Sequence, residues 1–261
     1  MSERAHLLSC RGLTVSVPGR CLVRDLAFQL VPGEFLAVLG QNGAGKTLTL
    51  HTLAGLRPPE SGEVRLGGQP LAGLRRQQIA RQLALLPQSA DDVFPATVLE
   101  TVLIGRHPHI ATFAWESGED RRIAHEALGR VELSAFVRRD IGTLSGGERR
   151  RAAVAQVLAQ APCVYLLDEP TNHLDPQHQL QALRLFRDEA DAGAAVVASL
   201  HDVNLAVRFA TRCLLLFGDG RWELGSTTSV LNDTRLSALY QTPMESVRWR
   251  GRDVFMAGPP A

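Results

Sequence analysis

Gly40-Gln41-Asn42-Gly43-Ala44-Gly45-Lys46-Thr47 is the stretch whose reading decides the rest of the chain. It follows a continuous apolar run, Phe35-Leu36-Ala37-Val38-Leu39. It opens into Leu48-Thr49-Leu50-His51-Thr52-Leu53-Ala54, whose apolar spacing is helical. Strand, glycine loop and helix in that order are the setting in which G-x-x-x-x-G-K-[ST] cradles phosphate. The glycines let main-chain N–H groups converge on one anion, and the helix N-terminus behind them adds about half a positive charge. The Lys46 ammonium is expected on the outer phosphates and the Thr47 hydroxyl on Mg²⁺. Composition sharpens this reading. Lys46 is the only lysine, and every other member of the Lys-plus-Arg total of 28 is arginine. A planar five-donor fork cannot replace a slim three-donor ammonium inside a glycine loop.

Outward from the loop, Leu166-Leu167-Asp168-Glu169 puts two carboxylates at the C-terminal end of an apolar run. In parallel α/β sheets that end faces the ligand crevice. Asp168 is expected in the Mg²⁺ shell and Glu169 beside the attacking water as general base. Taken alone, the pair also suits a solvated turn or a helix cap. Leu144-Ser145-Gly146-Gly147-Glu148 contains a capping box between Ser145 and Glu148. Its two adjacent glycines weaken a first helical turn but suit close approach of backbone N–H groups to an anion. Arg149-Arg150-Arg151 is expected to be a solvated helix face. Arg248, Arg250 and Arg252 are expected to alternate on one face of an edge strand.

The 261 residues suffice for one large α/β domain with an inserted piece. A net charge of +1 and 5% aromatic residues give no pull toward nucleic acid. Cys10, Cys21, Cys163 and Cys213 are far apart, which argues against a zinc site or a disulfide framework and fits a reducing cytoplasm. No signal-peptide pattern and no apolar run of about 18 residues is present, so a membrane role is expected to come through a partner. Residues 7–17 and 21–30 are expected strands across a Pro18-Gly19 turn, 63–66 a short strand, 74–82 a helix and 83–86 a strand. Residues 97–139 have helical spacing throughout. Further strands are expected at 163–167, 194–200 and 212–217, with helices at 176–191, 203–210 and 233–240. A hairpin is expected at 244–256, turning at Gly251. Residues 258–261 read as a frayed tail.

The ordered series of phosphate loop, Gln88, Leu-Ser-Gly-Gly-Glu, Leu-Leu-Asp-Glu-Pro, Asn172-His173-Leu174-Asp175 and His201 resembles the nucleotide-binding subunit of ATP-binding cassette (ABC) transporters, over about residues 8–240. The resemblance implies an α/β P-loop ATPase core with an N-terminal antiparallel β part and a helical subdomain inserted at about 90–160. That gives one domain over 1–240 and a short extension at 241–261. It implies ATP and Mg²⁺, with Thr47, Gln88 and Asp168 on the metal and Gly40 to Leu48 around the phosphates. Lys46, Gln88, Glu169 and His201 would carry catalysis, His201 by touching the γ-phosphate. Leu144 to Glu148 would meet ATP bound to a second copy in a head-to-tail dimer, with Asp175 at the seam. Three positions depart from the family pattern. Val17 stands where an adenine-stacking aromatic is usual, Leu48 where a threonine touches the α-phosphate, and Glu148 where glutamine is commoner. Weaker nucleotide binding and relaxed base choice are expected, with the chemistry intact.

Phe94-Pro95-Ala96-Thr97-Val98, Leu103 to His109, His201 to Ala206 and Gly218-Asp219-Gly220 are similar to importers of iron chelates, haem and cobalamin. The implied partners are an integral membrane permease met by the helical subdomain and, indirectly, a substrate-binding protein. The implied location is peripheral, on the cytoplasmic face of the inner membrane. His107 and His109 are read as loop or interface residues. An exporter subunit, or a soluble cassette ATPase of an assembly process, shares the core motifs and remains open.

Overall fold

The computed structural model describes residues 6–89, 95–111 and 114–258. Phe94, the first residues of the inserted subdomain and the tail at 259–261 lie outside them. The expected Pro18-Gly19 turn joins β1 (Leu8–Val17) to β2 (Arg20–Leu30), with Gly19 at φ 77°. After β3 (Phe35–Leu39) and α1 (Lys46–Leu53), β4 (Ser61–Leu66) and β5 (Gln69–Pro70) complete an antiparallel sheet ordered β2-β1-β4-β5. The helix expected at 74–82 shortens to α2 (Arg76–Ala80), because Leu74 is extended.

The second sheet draws on β6 (Leu83–Leu86), β7 (Val164–Leu167), β8 (Ala195–Ser199), β9 (Arg212–Leu216) and β10 (Trp222–Ser226), in the order β10-β9-β3-β8-β7-β6. Five of its strands run parallel, and β10 lies antiparallel on β9. A parallel strand covered on both faces needs an unbroken apolar run, and the reason is visible side chain by side chain. Phe35, Ala37 and Leu39 enter one core layer while Leu36 and Val38 enter the other. Tyr165 and Leu167 divide from Val164 and Leu166 in the same way. One layer lies under the helices and is filled by Phe186, Leu128 and Tyr165; the other, holding Leu13, Leu26 and Leu50, lies under the antiparallel sheet.

The stretch expected to be helical holds α3 (Val98–Leu103), a 3₁₀ turn at Ile104–His109 and α4 (Gly118–Arg130), all leaning on α5 (Gly146–Gln160). Its β pairing among the described residues is the single bridge between Thr97 and Asp140. Gly105 lets the 3₁₀ turn touch α5, since a Cβ there would sit 2.2 Å from the Gln156 carbonyl oxygen. Gly105→Ala is therefore expected to lower stability by about 1–3 kcal/mol, read as a reduced Tm with the circular dichroism spectrum retained.

The chain then runs through α6 (Pro176–Asp191), α7 (Val203–Phe209), α8 (Thr227–Val230) and α9 (Asp233–Tyr240) to a hairpin of β11 (Met244–Trp249) and β12 (Arg252–Ala257). It turns, as expected, at Gly251, with Arg250 and Gly251 at φ 48° and 80°. The three alternating arginines do not share a face. Arg250 is in the turn, and Arg248 pairs with Asp253 while Arg252 lies opposite Trp249, one register step away. The hairpin is fastened to the body: Phe255 is buried, and its N–H and carbonyl bond the Asn204 side chain on α7 at 2.9 and 3.1 Å.

Candidate active site

The loop before α1 is held open by glycine geometry. Gly43 and Gly45 have φ of 76° and 101°, a region that disfavours side chains. A Cβ on Gly40 would lie 2.5 Å from the Leu216 carbonyl oxygen, and one on Gly218 would lie 3.0 Å from Ala44 Cα, so the end of β9 braces the loop closely. Gly45 offers no side chain to cap α1, which leaves the first-turn N–H groups of Lys46, Thr47 and Leu48 facing outward for an anion. Lys46 is 5% exposed, and its ammonium donates to the Gly40 and Gln41 carbonyls at 2.9 and 3.2 Å. Burial pulls its pKa below the usual lysine value, opposed by the nearby Glu169 and Asp168 carboxylates.

The C-terminal ends of the parallel strands supply the other groups. Asp168 is fully buried; its Oδ1 accepts from the Ser199 hydroxyl at 2.7 Å, while its Oδ2 has no hydrogen-bond partner among the described residues. Glu169 Oε1 lies 2.6 Å from His201 Nε2. Glu169 Oε2 accepts from Gln88 Nε2 at 2.7 Å and from the Asn172 amide. Glu169 sits at φ 48°, a conformation that costs a non-glycine residue about 1–3 kcal/mol and that surrounding bonds must hold. Its N–H donates to Ser199 Oγ at 2.8 Å and its carbonyl accepts from Arg150 at 2.7 Å.

A cleft of about 610 Å³ joins Lys46, Thr47, Leu48, Gln88, Glu169 and His201 to Val17, Arg20 and Leu22 on the β1–β2 hairpin. The residues expected around phosphate and at the reacting water are thus brought together. Leu144 to Glu148 and Asp175 do not line this cleft. Ser145 caps α5 in the expected capping box, with Ser145 N–H to Glu148 Oε2 at 2.7 Å and Glu148 N–H to Ser145 Oγ at 3.2 Å. Ser145 and Gly146 are exposed, as is Asp175, which caps α6 through the His178 N–H. His109 Nε2 bonds the Gln160 carbonyl at 2.8 Å.

Three features escaped the sequence reading. Arg150 is not part of a solvated face; it is 6% exposed, with its guanidinium aimed at main-chain carbonyls just past the C-terminal ends of β6 and β7. Helical period carried the signal, since Arg150 precedes the buried Ala153, Val154 and Val157 by three, four and seven positions. Arg20 lines the cleft and donates through Nε to the Gly218 carbonyl at 2.9 Å, and Ser199 links Asp168 to Glu169. No local pattern marks either.

Residues 23–172 match the family model described as ABC transporter. Among curated proteins, the hemin import ATP-binding protein HmuV of Streptomyces coelicolor is 42% identical over 244 residues, 92% of this chain and 85% of that protein. The cobalamin import ATP-binding protein BtuD of Halobacterium salinarum is 38% identical over 235 residues, 89% of this chain; the chain spans only 58% of that protein. A solved structure described as a metal-chelate type ABC transporter in an inward-facing conformation superposes with a TM-score of 0.84 at 31% identity, covering 98% of each chain.

Proposed function

This chain belongs to the ABC transporter family as a subunit that binds ATP and hydrolyses it in step with transport, and from that premise we propose that it powers an importer for a metal chelate of the haem, cobalamin or iron-chelate class. The observation that carries the catalytic part is the junction of Glu169 with His201 and Gln88 in the cleft that holds Lys46. In this reading the outward N–H groups of Lys46 to Leu48 and the Lys46 ammonium hold the β- and γ-phosphates. Glu169 takes a proton from the attacking water as its oxygen bonds the γ-phosphorus and the bond to the ADP oxygen breaks, leaving ADP and phosphate. His201 orients Glu169 and contacts the γ-phosphate.

The buried, unpartnered Asp168 Oδ2 suits a divalent cation, with the Thr47 hydroxyl and the Gln88 amide oxygen as further oxygen donors. Mg²⁺ there would neutralise charge on the β- and γ-phosphate oxygens. The base would lie against Val17, Leu22 and the face of the Arg20 guanidinium, a stack that tolerates any base. ATP and GTP are expected to bind within about tenfold of one another, since stacking does not read a base's hydrogen-bonding edge, and both are expected to bind more weakly for want of an aromatic stack worth about 0.5–1.5 kcal/mol. Calorimetry giving low-micromolar ATP affinity with GTP excluded would contradict this.

Exposed Ser145, Gly146 and Asp175, outside the chain's own cleft, support a head-to-tail dimer in which each copy covers the other's ATP. Among the described residues no helix is long and apolar enough to cross a membrane. From its likeness to import ATP-binding subunits we assign the chain to the cytoplasmic face, with integral permease subunits and, beyond them, a substrate-binding protein as partners. Purification from detergent-solubilised membranes should bring down an integral partner, and reconstituted vesicles should take up a metal chelate only with ATP. Recovery with no integral partner would favour an assembly ATPase, and outward movement an exporter.

A further inference from the structure

Arg150 is placed where two parallel strands part. The last β6–β7 pair is Leu86 with Leu167, and Asp168 N–H still reaches the Leu86 carbonyl at 2.8 Å. Beyond it, five carbonyls converge on one guanidinium. Nε donates to Pro170 at 3.4 Å, Nη1 to Pro87 and Gln88 at 2.5 and 3.3 Å, and Nη2 to Asp168 and Glu169 at 2.8 and 2.7 Å. A guanidinium has five N–H donors divided one, two and two among these nitrogens, so each meets a carbonyl. These partners include no carboxylate oxygen. Burial pulls the pKa of Arg150 down to about 10, against the pull of Asp168 and Glu169, which leaves it a cation at neutral pH.

Two of the five carbonyls belong to Gln88 and Glu169, whose side chains bond each other at 2.7 Å. With Ser199 on the Glu169 N–H and Arg150 on its carbonyl, both polar groups of that left-handed residue are pinned. Arg150 also sits one turn inside the helix that starts with exposed Ser145 and Gly146 and half-buried Gly147, and a Cβ on Gly147 would be 3.3 Å from the His173 carbonyl oxygen. The start of that helix and the reacting carboxylate are therefore joined through one rigid fork.

We propose that Arg150 is a positioning residue for hydrolysis, which fixes the backbones of Gln88 and Glu169 to the helix that begins at Ser145. The proposal rests on Glu169 being the base. It specifies a role for the planar fork and not only for the charge, because an ammonium cannot serve five carbonyls at once.

The test uses the full-length chain with Arg150→Lys, Arg150→Gln and Arg150→Met, measuring ATP turnover, ATP affinity and Tm. In Arg150→Lys, kcat is expected to fall about 10–100-fold, the scale of a slightly misplaced catalytic group, while ATP affinity stays within about threefold. The glutamine and methionine variants should fall further. Combined with Glu169→Gln, the lysine change should add almost nothing, because it acts through the group already removed. The proposal is overturned by Arg150→Lys with near-normal kcat, by a loss of ATP affinity matching the loss of rate, or by a full additional loss in the Glu169→Gln background. Should the methionine variant fail to fold, the lysine variant still decides. Normal turnover by Glu169→Gln would remove the base reading and this proposal with it; normal turnover by Arg150→Lys alone would remove only the role of Arg150.

Discussion

Glu169→Gln is expected to bind ATP as the parent chain does while turnover falls by about 10²–10⁴-fold. The substitution is nearly isosteric, and its environment tolerates it. The amide oxygen can accept from the Gln88 and Asn172 amides, and the new NH₂ can face His201 Nε2 if that nitrogen carries no proton. Position is kept and basicity is lost. Because each ATP then survives, two copies closed over their nucleotides should not reopen, and gel filtration with ATP should show a dimer that ADP does not produce. A variant that hydrolyses at the normal rate would take Glu169 out of the base role.

Lys46→Ala is expected to weaken ATP binding by about 10–100-fold, from loss of one charge-assisted contact worth about 1.5–3 kcal/mol, and to abolish measurable turnover. Among the described residues the resting ammonium donates to the Gly40 and Gln41 carbonyls of its own loop, and it reaches other elements only through space, by its attraction to Glu169 and Asp168. Alanine is also the best helix former for the first position of α1. The Tm should therefore move little, and titration calorimetry beside a turnover assay separates lost binding from lost folding. Lys46→Arg should not rescue. The Lys46 ammonium donates as a compact point charge to two carbonyls of its own loop, a geometry that a planar fork does not reproduce.

Why these residues could be found from the sequence, and others not, has a physical basis. A glycine loop between strand and helix, a carboxylate pair after an apolar run and a capping box are local devices, so their spacing survives in one dimension. The parallel strands were legible for the same reason, since burial on both faces demands the runs at 35–39 and 164–167. β10 was missed because Trp222-Glu223-Leu224-Gly225-Ser226 lies on a sheet edge, half-buried, with no apolar run to mark it. The links from Arg20 to Gly218 and from Ser199 to Asp168 join distant segments and leave no local trace. Arg150 was misread because a triplet of arginines suggests solvent, although its helical phase placed it inward.

The C-terminal hairpin is tied to α7, the helix that begins two residues after His201. Asn204, which clasps Phe255 from both sides, lies three positions after His201 at the start of α7. Trimming the chain back to Tyr240 would strip that clasp and uncover the Phe255 seat. The damage should surface as slackened grip on the Glu169–His201 contact well before the molecule melts. A protease that nibbles this terminus would then act as a brake on turnover, and a fusion partner appended there would need a generous spacer to leave the rate untouched.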